Sequence, residues 1–122
     1  MKPSIHLIPA DPLASPGEVY FVPEHKRIAG NPQQTLWMHY TDPTKQFFVG
    51  MWRSEAGKWQ VHYTEEEHCQ MLEGVSILTS EDGEVVTLRA GDCFVVPRGF
   101  VGTWEVVECS TKRFVMFEAN AG

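Results

Sequence analysis

The sequence predicts an all-β fold, a barrel or sandwich, and three observations carry that prediction. Short runs of β-branched and aromatic residues recur from Thr35 to Phe117 at regular intervals. Turn formers separate these runs, among them Asp42-Pro43, Asp82-Gly83 and Gly91-Asp92. No segment repeats its apolar residues with the 3.6-residue period of a helix. At 122 residues the chain has room for one compact domain.

Six of the eight prolines, Pro3, Pro9, Pro12, Pro16, Pro23 and Pro32, fall in residues 1–33. Such density forbids a helix and permits only short or edge strands. Residues 1–33 are therefore expected to form an extended arm lying on the barrel or on a partner subunit, with residues 18–22 as its strand. Residues 34–122 are expected to form the barrel. Residues 35–40 read as a strand, 41–44 as a turn and 46–52 as the hairpin partner. Residues 59–63 form the next strand, which the acidic corner Glu65-Glu66-Glu67 interrupts. Residues 75–79 and 85–88 flank Asp82-Gly83, a strong hairpin pattern. Residues 94–96, 103–107 and 113–117 complete the set.

Composition narrows the function. Hydrophobic residues make up 43% of the chain and charged ones 21%, an ordinary globular balance. A formal charge of -6, with no Lys/Arg cluster, argues against nucleic-acid binding, which needs a basic face. The first residues have no apolar signal-peptide core, and no apolar run approaches the ~20 residues of a membrane span. A cytoplasmic protein with neither nucleic-acid nor membrane partners is the expectation.

Two stretches carry the chemistry. Glu67 and Gly74 stand in a Glu-x6-Gly spacing, and Gly91, Pro97 and Gly99 in a Gly-x5-Pro-x-Gly spacing. The glycines free the backbone for corners, Asp92 can accept backbone N–H bonds in its turn, and Pro97 ends a strand without needing a ladder donor. These paired motifs resemble those of the cupin superfamily, which implies a cupin (RmlC-like) antiparallel jelly-roll barrel. The run 57–74 and the stretches 91–92 and 99–106, with Glu108 and Lys112, are similar to the cupin subfamily named after (S)-ureidoglycine aminohydrolase. The resemblance covers roughly residues 35–118. It implies a barrel that holds a small molecule or a divalent metal such as Mn, Fe, Ni or Zn. The metal pattern is incomplete here. His62 and Glu67 match two ligand positions, Gln60 stands where a histidine is usual, and Gly102 stands at the last ligand position.

On strand parity Gln60 and His62 share one side, and the motif makes that side the barrel interior. Glu67 joins them from the next strand, and Gly102 and Trp104 share a face. The expected ligand pocket is Gln60, His62, Glu67, Gly102 and Trp104, with His62, Glu67 and Gln60 as the metal candidates. Tyr63 replaces His62 as the inward residue if the corner contains a bulge, since one extra residue flips the face. A competing reading has Glu67 and His62 satisfying each other in a wet barrel mouth. His68 and Cys69 are adjacent on a strand and point to opposite faces, so they do not form a base–thiol pair. Cys69, Cys93 and Cys109 form no CxxC pair and read as buried, reduced thiols. Trp37, Trp52 and Trp59 read as core or interface anchors.

The functional expectation is a small-molecule-binding cupin, acting on a nitrogen-containing ureido or amide metabolite. The alternative is a non-enzymatic sensor or accessory protein with a degenerate metal site. The aromatic residues and the arm point to a homodimer.

Overall fold

The computed structural model describes residues 3–120; residues 1–2 and 121–122, the extreme ends of the expected arm and barrel, lie outside the described residues. Nine strands follow one another: β1 (Glu18–Phe21), β2 (Arg27–Ala29), β3 (Gln33–Thr41), β4 (Phe47–Ser54), β5 (Gly57–His62), β6 (Glu66–Ser80), β7 (Val85–Arg89), β8 (Cys93–Val96) and β9 (Val101–Phe117). A single 3-10 turn, Glu24–Lys26, is the only helical element among the described residues. All the strand pairings are antiparallel, and the sheet runs β1-β3-β4-β9-β5-β2, with β6 on the other side of β9 and β7 and β8 beyond β6. This curled all-β sheet is the jelly-roll cupin barrel expected from the sequence.

The long strands β6 and β9 are the main departure from the sequence reading. The acidic corner does separate β5 from β6, at residues 63–65, but Glu66 and Glu67 already belong to a strand that continues to Ser80. The separate strands expected at 103–107 and 113–117 are likewise one strand. Both bend through register shifts between Met71 and Ser76 rather than ending. Gly74 makes the bend, with φ of 88° and a position where any Cβ would run into the Cys109 carbonyl. A bulge lets one strand serve two parts of a barrel, which no short-range sequence pattern reveals.

Local devices match their residues. Asp42 accepts from the backbone N–H of Gln46 at 2.8 Å and of Phe47 at 2.9 Å, and from Thr44 Oγ1 at 2.6 Å, closing the β3–β4 hairpin. Those bonds hold its carboxyl down at about 2. Asp82-Gly83 turns β6 into β7 with Gly83 at φ of 96°, and Asp92 accepts from Arg89 N at 2.8 Å. The arm lies along its own chain's β3: Trp37 Nε1 donates to Ser15 O at 2.7 Å and His39 Nε2 to Pro12 O at 2.9 Å. Within residues 1–33, β1 and β2 are members of the sheet, pairing with β3 and β5.

The core is aromatic. Trp52, Trp59 and Trp104 are buried together with Cys69, Met71, Leu78, Val106 and Phe114. The Trp52 ring meets Trp104 edge-on at 5.4 Å and Trp59 at 6.2 Å, the geometry that aromatic quadrupoles favour. Trp37 is half-buried under the arm.

Candidate functional site

The parity of β5 decides what faces the barrel interior. Trp59 pairs with Trp104 and Val61 with Gly102, while Gln60 pairs with Thr103 and His62 with Val101. Directly opposed residues share a face. The indole of Trp59 therefore goes inward beside that of Trp104, and Gln60 and His62 go outward and are exposed. Turning β5 over would bury an amide and an imidazole and expose an indole and a valine, losing roughly 2–3 kcal/mol of burial per large side chain. The expected inward placement of Gln60 and His62 is thus reversed. Tyr63, the alternative inward residue, is the one that turns in. Its backbone N–H donates to Phe100 O at 2.9 Å, and its carbonyl accepts from Gly99 N at 2.8 Å.

Inside the barrel lies a cavity of about 360 Å³ whose polar centre is an ion pair. Glu67 enters from β6 and Lys112 from β9, both buried. Lys112 Nζ donates to Glu67 Oε1 at 2.9 Å, and Tyr63 Oη donates to the same oxygen at 3.2 Å. Among the described residues no N–H or O–H donates to Glu67 Oε2. Nor is that atom sealed in as a buried orphan, so it remains an acceptor toward the cavity. The Lys112 ammonium lies 4.4 Å from the Trp104 ring centroid and 4.9 Å from that of Trp52, within cation–π range of both. Each indole is held in place: Trp52 Nε1 donates to Tyr20 Oη at 3.0 Å and Trp104 Nε1 to Ser76 Oγ at 3.2 Å. Ser76 in turn donates to Ser110 Oγ at 2.9 Å.

Electrostatics follow from this geometry. Burial pushes the Lys112 ammonium down, but the charge of Glu67 and its hydrogen bond, joined at high pH by Cys69 and Tyr63 as they ionise, outweigh burial and hold it above the usual lysine range. Burial lifts the Tyr63 phenol well above its usual value and pushes the Cys69 thiol, which lies beside Glu67 and Lys112, up to about 12. The site at neutral pH therefore holds a charged lysine, a neutral tyrosine and a neutral thiol.

Of the five residues expected at the pocket, Glu67 and Trp104 line the interior, and Gln60 and His62 line its mouth from their exposed positions. Gly102 lies at a second, outer hollow together with Gln60, His62, His25 and Ser80. Its backbone has the inward parity, but a Cβ there would strike the Thr79 carbonyl oxygen of the paired strand. The missing side chain thus leaves no open space near Trp104; β6 fills it. A divalent metal does not fit these residues. Glu67 is taken by an ammonium, His62 points away, and no three His, Cys, Asp or Glu side chains among the described residues are grouped as metal ligands.

Lys112 and Tyr20 line the cavity without having been expected there from the sequence. Lys112 had a readable sign: it has the even parity of Trp104, Val106, Phe114 and Met116 along β9. Tyr20 had none, since its position depends on β1 reaching β3. The opposite faces expected for His68 and Cys69 are observed, with His68 exposed and Cys69 fully buried. Cys93 and Cys109 are exposed, against the expectation that all three thiols are interior.

No curated protein matches the chain. Among solved structures, a protein of unknown function from Pseudomonas syringae superposes with a TM-score of 0.79 over 87% of this chain at 21% identity. The chain spans 46% of that protein's length. A protein of the DUF861 family from Thermotoga maritima is 30% identical, with a TM-score of 0.55, over 57% of this chain and 78% of its own. A putative ethanolamine utilization protein Q from Salmonella typhimurium gives a TM-score of 0.65 at 16% identity, over 87% of this chain and all of its own. The family model described as the EutQ-like cupin domain matches residues 41–114, more than half of the sequence. The chain belongs to the EutQ-like cupin domain family.

Proposed function

We propose that the barrel binds a small nitrogen-containing metabolite of the amide or ureido class in its interior cavity. The observation that carries this reading is the asymmetry of the Glu67–Lys112 pair. The N–H and O–H hydrogen bonds to the carboxylate, from Lys112 and Tyr63, both land on Oε1, which leaves Oε2, with the Cys69 thiol as its neighbour, to accept from a ligand N–H. The ammonium beside it has further N–H groups to donate to a ligand carbonyl. An acceptor and a donor side by side match the N–H and C=O of an amide or urea. Trp52, Trp104 and Tyr20 supply walls for a flat group. The resemblance to the (S)-ureidoglycine aminohydrolase subfamily points to the same ligand class, with hydrolysis as the activity. A sensor or accessory protein would use the same cavity without turnover. We also propose a cytoplasmic homodimer without nucleic-acid or membrane partners. The exposed edge strand β1, with Val19 and Phe21, supports the dimer.

Mass spectrometry of small molecules released from freshly purified protein, followed by calorimetric titration with N-carbamoylglycine and acetamide, tests the reading. Binding should fall at least about tenfold in Glu67→Gln, which removes the anionic acceptor. If no amide or urea is released, and none binds at millimolar concentration, the reading fails.

A further inference from the structure

We propose that the Lys112 ammonium is the built-in cation of this barrel, occupying against Glu67 the place a divalent ion would need. The ligand's carbonyl or carboxylate oxygen would then bind to nitrogen rather than to a metal. This second clause rests on the function proposed above; the first does not. A metal-type carboxylate points into the interior, and 2.9 Å from its Oε1 lies a fixed positive charge. A second cation at the same carboxylate would face that charge at close range in a site shielded from water. The remaining surroundings suit an ammonium and not a hard ion. Two indole faces stand 4.4 and 4.9 Å from Nζ, and π faces attract a cation without donating a lone pair. Divalent metals require several oxygen, nitrogen or sulfur donors, and the histidine that would supply one, His62, points out of the barrel. The same two indoles are fixed in place by hydrogen bonds, Trp52 to Tyr20 and Trp104 to Ser76, which also satisfy their buried N–H groups.

Two measurements without any organic ligand test the cation. The first is elemental analysis of wild-type protein, with thermal unfolding in added Mn, Fe, Ni or Zn and in chelator. Well under one metal per chain is expected, with a Tm change of about 1 °C or less. A metal held at 100 times its Kd would raise the Tm by about 10 °C. Stoichiometric metal, or a rise of that size that disappears in Glu67→Gln, would overturn the proposal. The second compares Lys112→Gln with the double variant Glu67→Gln/Lys112→Gln. The single variant leaves a buried carboxylate without its cation, so its Tm should fall by about 10 °C or more, or the protein should fail to fold. The double variant should recover most of the loss, because its two amides need no counter-charge. A single variant with wild-type Tm, or a double variant no better than the single, would show that Lys112 acts by packing alone. Neither readout involves the metabolite, so a failed binding titration and a failed cation test remain separate results.

Discussion

The two faces of β5 carry polar and aromatic residues to opposite fates. On the inner face Trp59 and Val61, continued by Tyr63, join Trp104 around the Glu67–Lys112 pair. On the outer face Gln60 and His62 stand exposed at the mouth and over a hollow shared with Gly102. The inner group is held by indole packing, cation–π contact and hydrogen bonds to a single carboxylate oxygen. No side-chain hydrogen bond among the described residues involves Gln60 or His62. A polar side chain at a motif position thus becomes part of a site only when its strand's apolar residues allow it to face in.

The strongest break of this comparison is Trp59→Ala on the inner face. Loss of a buried indole at the Trp52 and Trp104 contacts should destabilise the protein by about 3–5 kcal/mol in urea denaturation. A loss under about 1 kcal/mol would mean that the inner face is not the packed one.

Next in size is a pH effect that separates the inner thiol from the outer ones. Cys69 keeps its proton in the folded protein up to about 12, whereas in the unfolded chain it ionises near 9. Above pH 9 the unfolded state therefore binds fewer protons, and stability should fall as pH rises toward 12, by about 4 kcal/mol at most. Cys69→Ala should flatten that slope, and the same change at exposed Cys93 or Cys109 should leave it alone. The contribution of Lys112 has a different window: its raised ammonium stabilises at all pH values below the unfolded lysine range and is lost only as pH rises through its folded value. Denaturation curves at pH 7 to 11 check the Cys69 slope.

A smaller effect is expected at the crossing of β6 and β9. Gly102→Ala pushes a methyl into the Thr79 carbonyl, where only backbone movement can make room, so about 1–3 kcal/mol should be lost. The same clash would keep Gly102→His from completing a metal set with His62 and Glu67. The smallest effect is His62→Ala, within about 0.5 kcal/mol, since the imidazole is exposed and unbonded. A larger loss there would reassign His62 to the site.

Much of the fold was legible because its turns are chemical. Asp42, Asp82-Gly83 and Gly91-Asp92 each supply a side-chain acceptor or a positive φ that few other residues offer. The merging of 66–80 into one strand was not legible, because continuity across Gly74 depends on β9 running alongside. For the site, Glu67 and Trp104 were readable from the motif and from parity. The motif spacing points Gln60 and His62 inward, but the apolar residues Trp59 and Val61 that alternate with them claim the interior face. Lys112 is hard to read as interior, because a lysine on a strand is ordinarily a solvent-facing residue.

By itself the sequence determined the all-β class, the hairpins and the family-type barrel, since turn chemistry and period-two alternation act over a few residues. Only the tertiary structure decided which face of β5 is interior, that β6 and β9 each span the barrel, and that Glu67 meets Lys112 across 45 positions of chain at 2.9 Å. Those outcomes depend on which strands lie side by side and on burying three indoles together, and both are properties of the assembled sheet rather than of any segment within it.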